Sequence, residues 1–256
     1  MHYAYFDDSG THKDSLIVSV GGLIGTLAQW SVFNETWEML LKSPLPEKQS
    51  LPSFGLSDCR GRRRHFQDYS DAEVDAITHD FRELIKNSGV KAVASSIDKK
   101  AWGDLVVGQI RRTMGEAEPF CLVNCVNCAL SYATSQGETD VAVFYDQGRE
   151  SHELHRIRKL FIGQTRTTAR IASFEFPFVA DCYPLQGADM TATESYWFAL
   201  EHLSGKEHAV PRPHFQNFVE HVQGAGFIMG RQEIEQELSR RNPDGTLKRG
   251  TPVSDW

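Results

Sequence analysis

No stretch of this 256-residue chain is apolar for long enough to cross a bilayer, and its first residues show no basic flank followed by an apolar run. Those two absences exclude a membrane span and a secretory leader from the reading, so the expectation is a cytoplasmic protein with no membrane partner. Cysteine is scarce and odd in number: five thiols in a chain of this size argue for reduced side chains, not a disulfide framework. Repeats, low-complexity tracts and dividing linkers are missing too, and the expectation is a single α/β domain over 1–256. Positive charge is short, with 27 Lys and Arg against 34 Asp and Glu and a net charge of −7. A protein that grips nucleic acid through its overall field carries the opposite balance. Contact with phosphate would need a local basic patch or bound divalent cations.

What is present reads as strands alternating with helices. Residues 3–7 suit a strand, and "LIVSVGGLIG" suits its hairpin partner across the turn-rich "DDSGTHKDS". Trp30, Phe33, Trp37 and Leu40 recur at helical spacing, and that helix stops before Pro44. The next segment, to about Ser70, is proline-rich and reads as a long surface loop. Ser70 and Glu73 form a capping box for an amphipathic helix that ends at Gly89. "VKAVASSID", "DVAVFYD" and "RIASFEFPF" read as the third, fourth and fifth strands. Between them lie a helical region over about 102–136, interrupted near "GEAEP", and a basic helix in "RESHELHRIRKLFIGQ". "PLQGADMTATESYWFALEHL" is a long helix, with further helices in "HFQNFVEHVQ" and "GRQEIEQELSRR". The expected architecture is a mixed sheet of about five strands flanked by helices, with a helical C-terminal extension over 201–256.

Carboxylates gather where these elements end. "YAYFDDSG" closes its strand on Asp7 and Asp8, and alternation sends the two side chains to opposite faces. Asp146 closes the fourth strand, Asp189 follows Gln186 by three residues in a helix, and Asp58 sits in the long loop. Oxygen-rich sets of this kind hold Mg2+ or Mn2+, and the cation offsets the repulsion between the acids. Taken singly, each acid also suits a solvated turn or a cap.

"YAYFDDSG" with a glycine-containing second strand, "SFGLSDC" before a charged loop, and "PLQGADMTATE" together resemble the bacterial domain of unknown function 3800 family over roughly residues 1–200. That family in turn resembles the ribonuclease H-like fold. The resemblance implies a metal-dependent nuclease or phosphodiesterase with a two-metal-ion mechanism, in which Asp7, Asp146 and Asp189 are the catalytic metal ligands. It gives supporting places to Asp8 and Ser9 in the first motif, to Gln186 and Glu194 in the late helix, and to Asp58 and Glu150. The chain departs from the family pattern in carrying Asp8 for a glutamate, and Gly55 where a histidine is expected.

"CRGRRRH" places Arg60, Arg62, Arg63 and Arg64 beside Asp58. Guanidinium forks suit phosphate, so these four are the candidate nucleic-acid contacts, and surface ion pairing is the ordinary alternative. Arg156, Arg158 and Lys159 could flank the same groove. Cys121, Cys125 and Cys128 have the spacing of a radical iron–sulfur motif, but on a helix they share one face and read as core, so no iron–sulfur cluster is expected. His152 and His155 lack the spacing of a zinc protease. A non-catalytic binding module of the same fold, contacting nucleic acid or protein in a defence or mobile-element system, is the competing reading. The charge balance and Gly55 favour that alternative.

Overall fold

The computed structural model describes residues 1–146, 169–204 and 225–248. Its centre is the hairpin of β1 (His2–Ser9) and β2 (Ile17–Thr26), antiparallel with Asp7 opposite Gly21 and Asp8 opposite Val20. β3 (Lys91–Asp98) adds antiparallel to β2. On the other side β4 (Asp140–Tyr145) lies parallel to β1, and β5 (Arg170–Glu175) parallel to β4.

The expectation of about five strands falls short by one. β6 (Ala225–Met229) pairs parallel with β3, so the described residues form a six-stranded sheet in the order β5-β4-β1-β2-β3-β6. The C-terminal extension is therefore not wholly helical. Five residues of mixed "AGFIM" alternate too briefly to announce a strand, and it is the edge of β3 that recruits them.

Helices cover both faces. Strand alternation sends Ala4, Phe6, Val18 and Val20 to one side, where they meet α4 (Lys99–Leu105) and α6 (Ala117–Ser135). Cys121, Cys125 and Cys128 lie buried in that core, as helical spacing predicts, and the Cys125 thiol donates to the Val20 carbonyl at 3.4 Å. Burial pushes the Cys121 and Cys128 thiols up to about 12. α5 (Gly108–Met114) lies between α4 and α6, so the region expected as one interrupted helix is three.

The opposite face carries α1 (Leu27–Lys42), α3 (Asp71–Asn87) and α7 (Tyr183–Leu203). α1 begins in a capping box at Thr26 and buries Trp30, Phe33, Trp37 and Leu41, one position beyond the expected Leu40. Its aromatics continue into the neighbours: Trp37 lies 4.4 Å from Phe81 between ring centroids, and Phe81 4.1 Å from Phe54. Each such fully buried ring contributes roughly 2–3 kcal/mol. α3 starts in the Ser70–Glu73 capping box, as its sequence predicts. The long loop is more ordered than its prolines suggest. It contains α2 (Leu56–Arg60) and a single turn over Arg64–Phe66, with Leu56, Cys59 and Phe66 buried. α8 (Arg231–Ser239) follows β6 and buries Ile234. Among the described residues, no helix is long and apolar enough to cross a membrane.

Candidate functional site: a carboxylate cluster at the end of the central strands

Two parallel neighbours bring the first acids together. The Asp146 amide donates to the Phe6 carbonyl at 3.2 Å, so the β1–β4 ladder runs on to the last residue before Asp7. Asp7 and Asp146 therefore stand side by side at the carboxyl ends of adjacent strands. Alternation turns both toward α7, since Tyr5 and Phe144, one pleat earlier, stack on that face at 4.5 Å. Open α/β sheets place their ligands at such strand ends.

The third acid depends on how closely α7 approaches. Gly21, across the ladder from Asp7, lies directly under this helix. A Cβ there would stand 2.4 Å from the Ala192 nitrogen and 2.5 Å from its Cα. Only a bare glycine admits the helix at this depth, and the Gly187, Ala188 and Ala192 side of α7 is correspondingly small. The helix thus sets Asp189 over the strand ends, where its charge and those of Asp8 and Asp146 act on Asp7.

Electrostatics mark these two carboxylates out. Asp7 is 7% exposed. Burial, then the charges of Asp189, Asp8 and Asp146, hold it protonated well above the usual carboxylate range. Burial pushes Asp189 up to about 6, against a hydrogen bond from the Leu56 amide that pulls it down; Asp58, Asp8 and Asp146 push the same way as burial. Each keeps one oxygen occupied by a backbone donor: Asp8 N to Asp7 Oδ1 at 2.7 Å, and Leu56 N to Asp189 Oδ2 at 3.1 Å. No lysine or arginine among the described residues pairs with either. Nor, among those residues, are three acidic, histidine or cysteine side chains already gathered as a closed set of metal ligands.

The supporting residues divide into three groups. Asp8 points to the other face, as alternation predicts. It accepts from Thr11 Oγ1 at 2.8 Å and lies 3.4 Å from the Tyr145 hydroxyl, which is also 3.2 Å from Glu118. It acts on the cluster through its charge and not as a neighbour on the same face. Ser9 shares Asp7's face by alternation, at the end of β1 opposite Ser19.

Gln186 touches none of the acids. It is 1% exposed, and its amide is fully used. Oε1 accepts from Trp37 Nε1 at 3.0 Å and from the Phe54 amide at 2.9 Å, while Nε2 donates to the Val179 and Ala180 carbonyls at 3.3 Å. Those contacts hold two backbone segments that do reach the acids. The Val179 amide donates to Asp146 Oδ1 at 3.0 Å, and Leu56, two residues beyond Phe54, donates to Asp189. Gln186 therefore works from behind, by fixing the peptides that orient two carboxylates.

The basic loop is largely engaged with acids of its own. Arg60 pairs at 2.9 Å with Glu194, which is 1% exposed and also pairs with Arg82. Arg63 and Arg64 lie 3.0 and 3.2 Å from Asp58, and Arg62 pairs with Asp71. Glu194, almost fully buried, and Arg60, partly exposed, thus meet in a bridge that Arg82 completes. Asp58 still approaches the cluster: a Cβ at Gly55 would lie 4.0 Å from Asp58 Oδ2 and 3.9 Å from Asp189 Oδ2. Arg82 escapes a reading of the sequence because an arginine on an amphipathic helix looks like surface. Only its place among Val74, Thr78 and Phe81 on the buried side of α3 hints otherwise. Glu150, Arg156, Arg158, Lys159, His152 and His155 lie outside the described residues.

No family model matches the chain, and no curated protein matches it. The likeness to the domain of unknown function 3800 family rests on the motifs alone. Among solved structures, the chain is similar to one in "Structure of the PCNA:RNase HII complex from Archaeoglobus fulgidus". The identity is 11% and the TM-score 0.36, over 98% of this chain and 96% of that one.

Proposed function

We propose that the protein is a divalent-metal-dependent nuclease of the ribonuclease H-like type, with Asp7, Asp146 and Asp189 as its metal ligands. The observation that carries this is a set of carboxyls without a cation: Asp7 and Asp189, drawn out of water, are both raised by burial and by the charge of Asp146, and no cationic side chain among the described residues pairs with either. Isolated, such a set costs free energy, and hard oxygen donors of this kind fit Mg2+ or Mn2+. Bound there, the ion would supply charge stabilisation at a phosphoryl group and a water of lowered pKa. The chain's own contribution is orientation. Val179 N–H aims Asp146, Leu56 N–H aims Asp189, and the Asp8 amide fixes one oxygen of Asp7. Arg63, mostly exposed beside Asp58, would brace a phosphate at the rim. First-strand, fourth-strand and late-helix acids at one end of the sheet are also what the ribonuclease H-like resemblance implies.

The test is Mn2+-dependent cleavage of labelled DNA, RNA and hybrid strands, wild type beside Asp7→Asn. Wild type is expected to cleave. The variant should lose more than about a hundredfold, the loss that outer partners of a metal ligand already cause, while melting no lower than wild type. Equal cleavage by both would sink the assignment. A non-catalytic binding module of the same fold is the second reading, favoured by the lack of a closed ligand set among the described residues. Calorimetric titration with Mn2+ separates the two, since the module predicts no divalent site.

A further inference from the structure

A cleft of about 440 Å³ lies between the segments 47–51 and 64–69, beside the arginine loop. We infer that it receives one unpaired nucleobase of a single-stranded substrate. The class of ligand rests on the nuclease reading above.

The cleft's cations are already engaged. Lys48 sits 3.0 Å from Glu73, donates to the Asp68 carbonyl at 2.8 Å and lies over the Tyr69 ring at 4.6 Å. Arg64 is held 3.2 Å from Asp58. What remains open carries no cation: the neutral side chains of Gln49, Ser50, His65 and Gln67 line the cleft beside the exposed carboxylates of Glu47 and Asp68, and none of these side chains makes a hydrogen bond to any described residue. An anion site would leave its cations open, and this cleft does the reverse. Carboxamides present a donor and an acceptor side by side, which is the pattern on the edge of an unpaired base. The flat imidazole of His65 and guanidinium of Arg64 are surfaces on which a base can stack. The volume lies in the range of small-molecule pockets, too large for a phosphate alone.

Position supports the assignment. The cleft is linked to the carboxylate cluster through one ion pair: Arg64, which lines the cleft, meets Asp58 Oδ2, and that oxygen and Asp189 Oδ2 both lie near Gly55. Both sides of the cleft also hold a non-glycine residue in the left-handed region, Glu47 at φ 66° and Arg64 at φ 52°. Backbone conformations of that kind collect where a loop is shaped for binding. A strand whose phosphate reaches the acids would thus present a neighbouring base to the cleft, and a base inside a duplex would not be available to it.

Fluorescence anisotropy of Asp7→Asn in EDTA, with short labelled homopolymer strands of each base and a blunt duplex, tests this without cleavage. One base should bind about tenfold more tightly than the weakest, and the duplex should bind worst. Gln49→Leu with Gln67→Leu should erase the base preference and leave the melting temperature unchanged, since both side chains are exposed. Equal binding of all bases, a preference that survives the double variant, or no binding of any strand each overturns the inference. If wild type fails to cleave with Mn2+ while the preference appears and the double variant abolishes it, the cleft stands and the nuclease reading falls. If wild type cleaves but shows no base preference, the nuclease reading stands and the cleft falls.

Discussion

Two acids on one helix, both drawn away from water, are treated in opposite ways. Glu194, late in α7, is enclosed by Arg60 and Arg82. Asp189, little more than a turn earlier, faces other acids and one backbone amide among the described residues. A buried carboxylate kept for structure is given a partner from its own chain. One left without a partner among like charges stores unfavourable free energy that an outside cation can release. The difference separates a structural acid from a candidate metal ligand better than sequence position does.

The comparison breaks most visibly at its compensated end. Glu194→Ala leaves Arg60 and Arg82 without their acid and should cost about 3–5 kcal/mol in urea unfolding. A loss below about 1 kcal/mol would mean that the bridge does not hold the fold together. Gly21→Ala comes next. Its Cβ would press on the backbone of Ala192, which has no flexible end to yield, so α7 must lift. About 1–3 kcal/mol of stability should go, and Mn2+ affinity with it, read by denaturation and by titration calorimetry. A variant as stable and as tight as wild type would show that the depth of the helix is not what sets Asp189.

Asp189→Asn sharpens the contrast by reversing the usual sign. The folded carboxyl titrates at about 6 against an ordinary 3.8, so between those values the folded state binds more protons than the unfolded one. Stability is then lost as pH rises through that window, the reverse of a salt-bridged acid. Without divalent metal, the asparagine should therefore gain up to about 3 kcal/mol near pH 7.5, and nothing below about pH 4. Thermal melts across pH in EDTA would decide it, and a pH-independent difference would remove burial and repulsion as the cause. The smallest effect belongs to Arg63→Gln. An exposed pair with Asp58 is worth under about 0.5 kcal/mol to folding, while the salt dependence of strand binding should become shallower. An unchanged salt slope would take Arg63 out of the interface.

Much of this is legible in the residues because it is local. Period-two alternation locates β1 and β2 and turns Asp7 and Asp8 to opposite faces. Helical spacing puts Trp30, Phe33 and Trp37 inside and makes core residues of the three cysteines. Ser70 and Glu73 announce their helix. What the residues hide depends on contacts between distant segments. Arg60 and Glu194 are 134 positions apart, and Gln186 reaches 149 positions back to Trp37, so no window of sequence contains either pair. The arginines of "CRGRRRH" look open in the sequence because their acids lie partly on other elements. β6 escapes the same reading because a five-residue strand draws its definition from the neighbour it joins.

β1 is hydrogen-bonded on both sides, to β2 and to β4, in the middle of the sheet. Amides in such a strand exchange with solvent only when the whole domain opens, whereas a five-residue helix such as α2 frays on its own. Asp7 therefore rides on a strand that should open late, and Asp58 on a short helix that should open early. On warming, the arginine rim should loosen first and alter how a strand is held. The pair formed by Asp7 and Asp146 should disperse only as the domain melts.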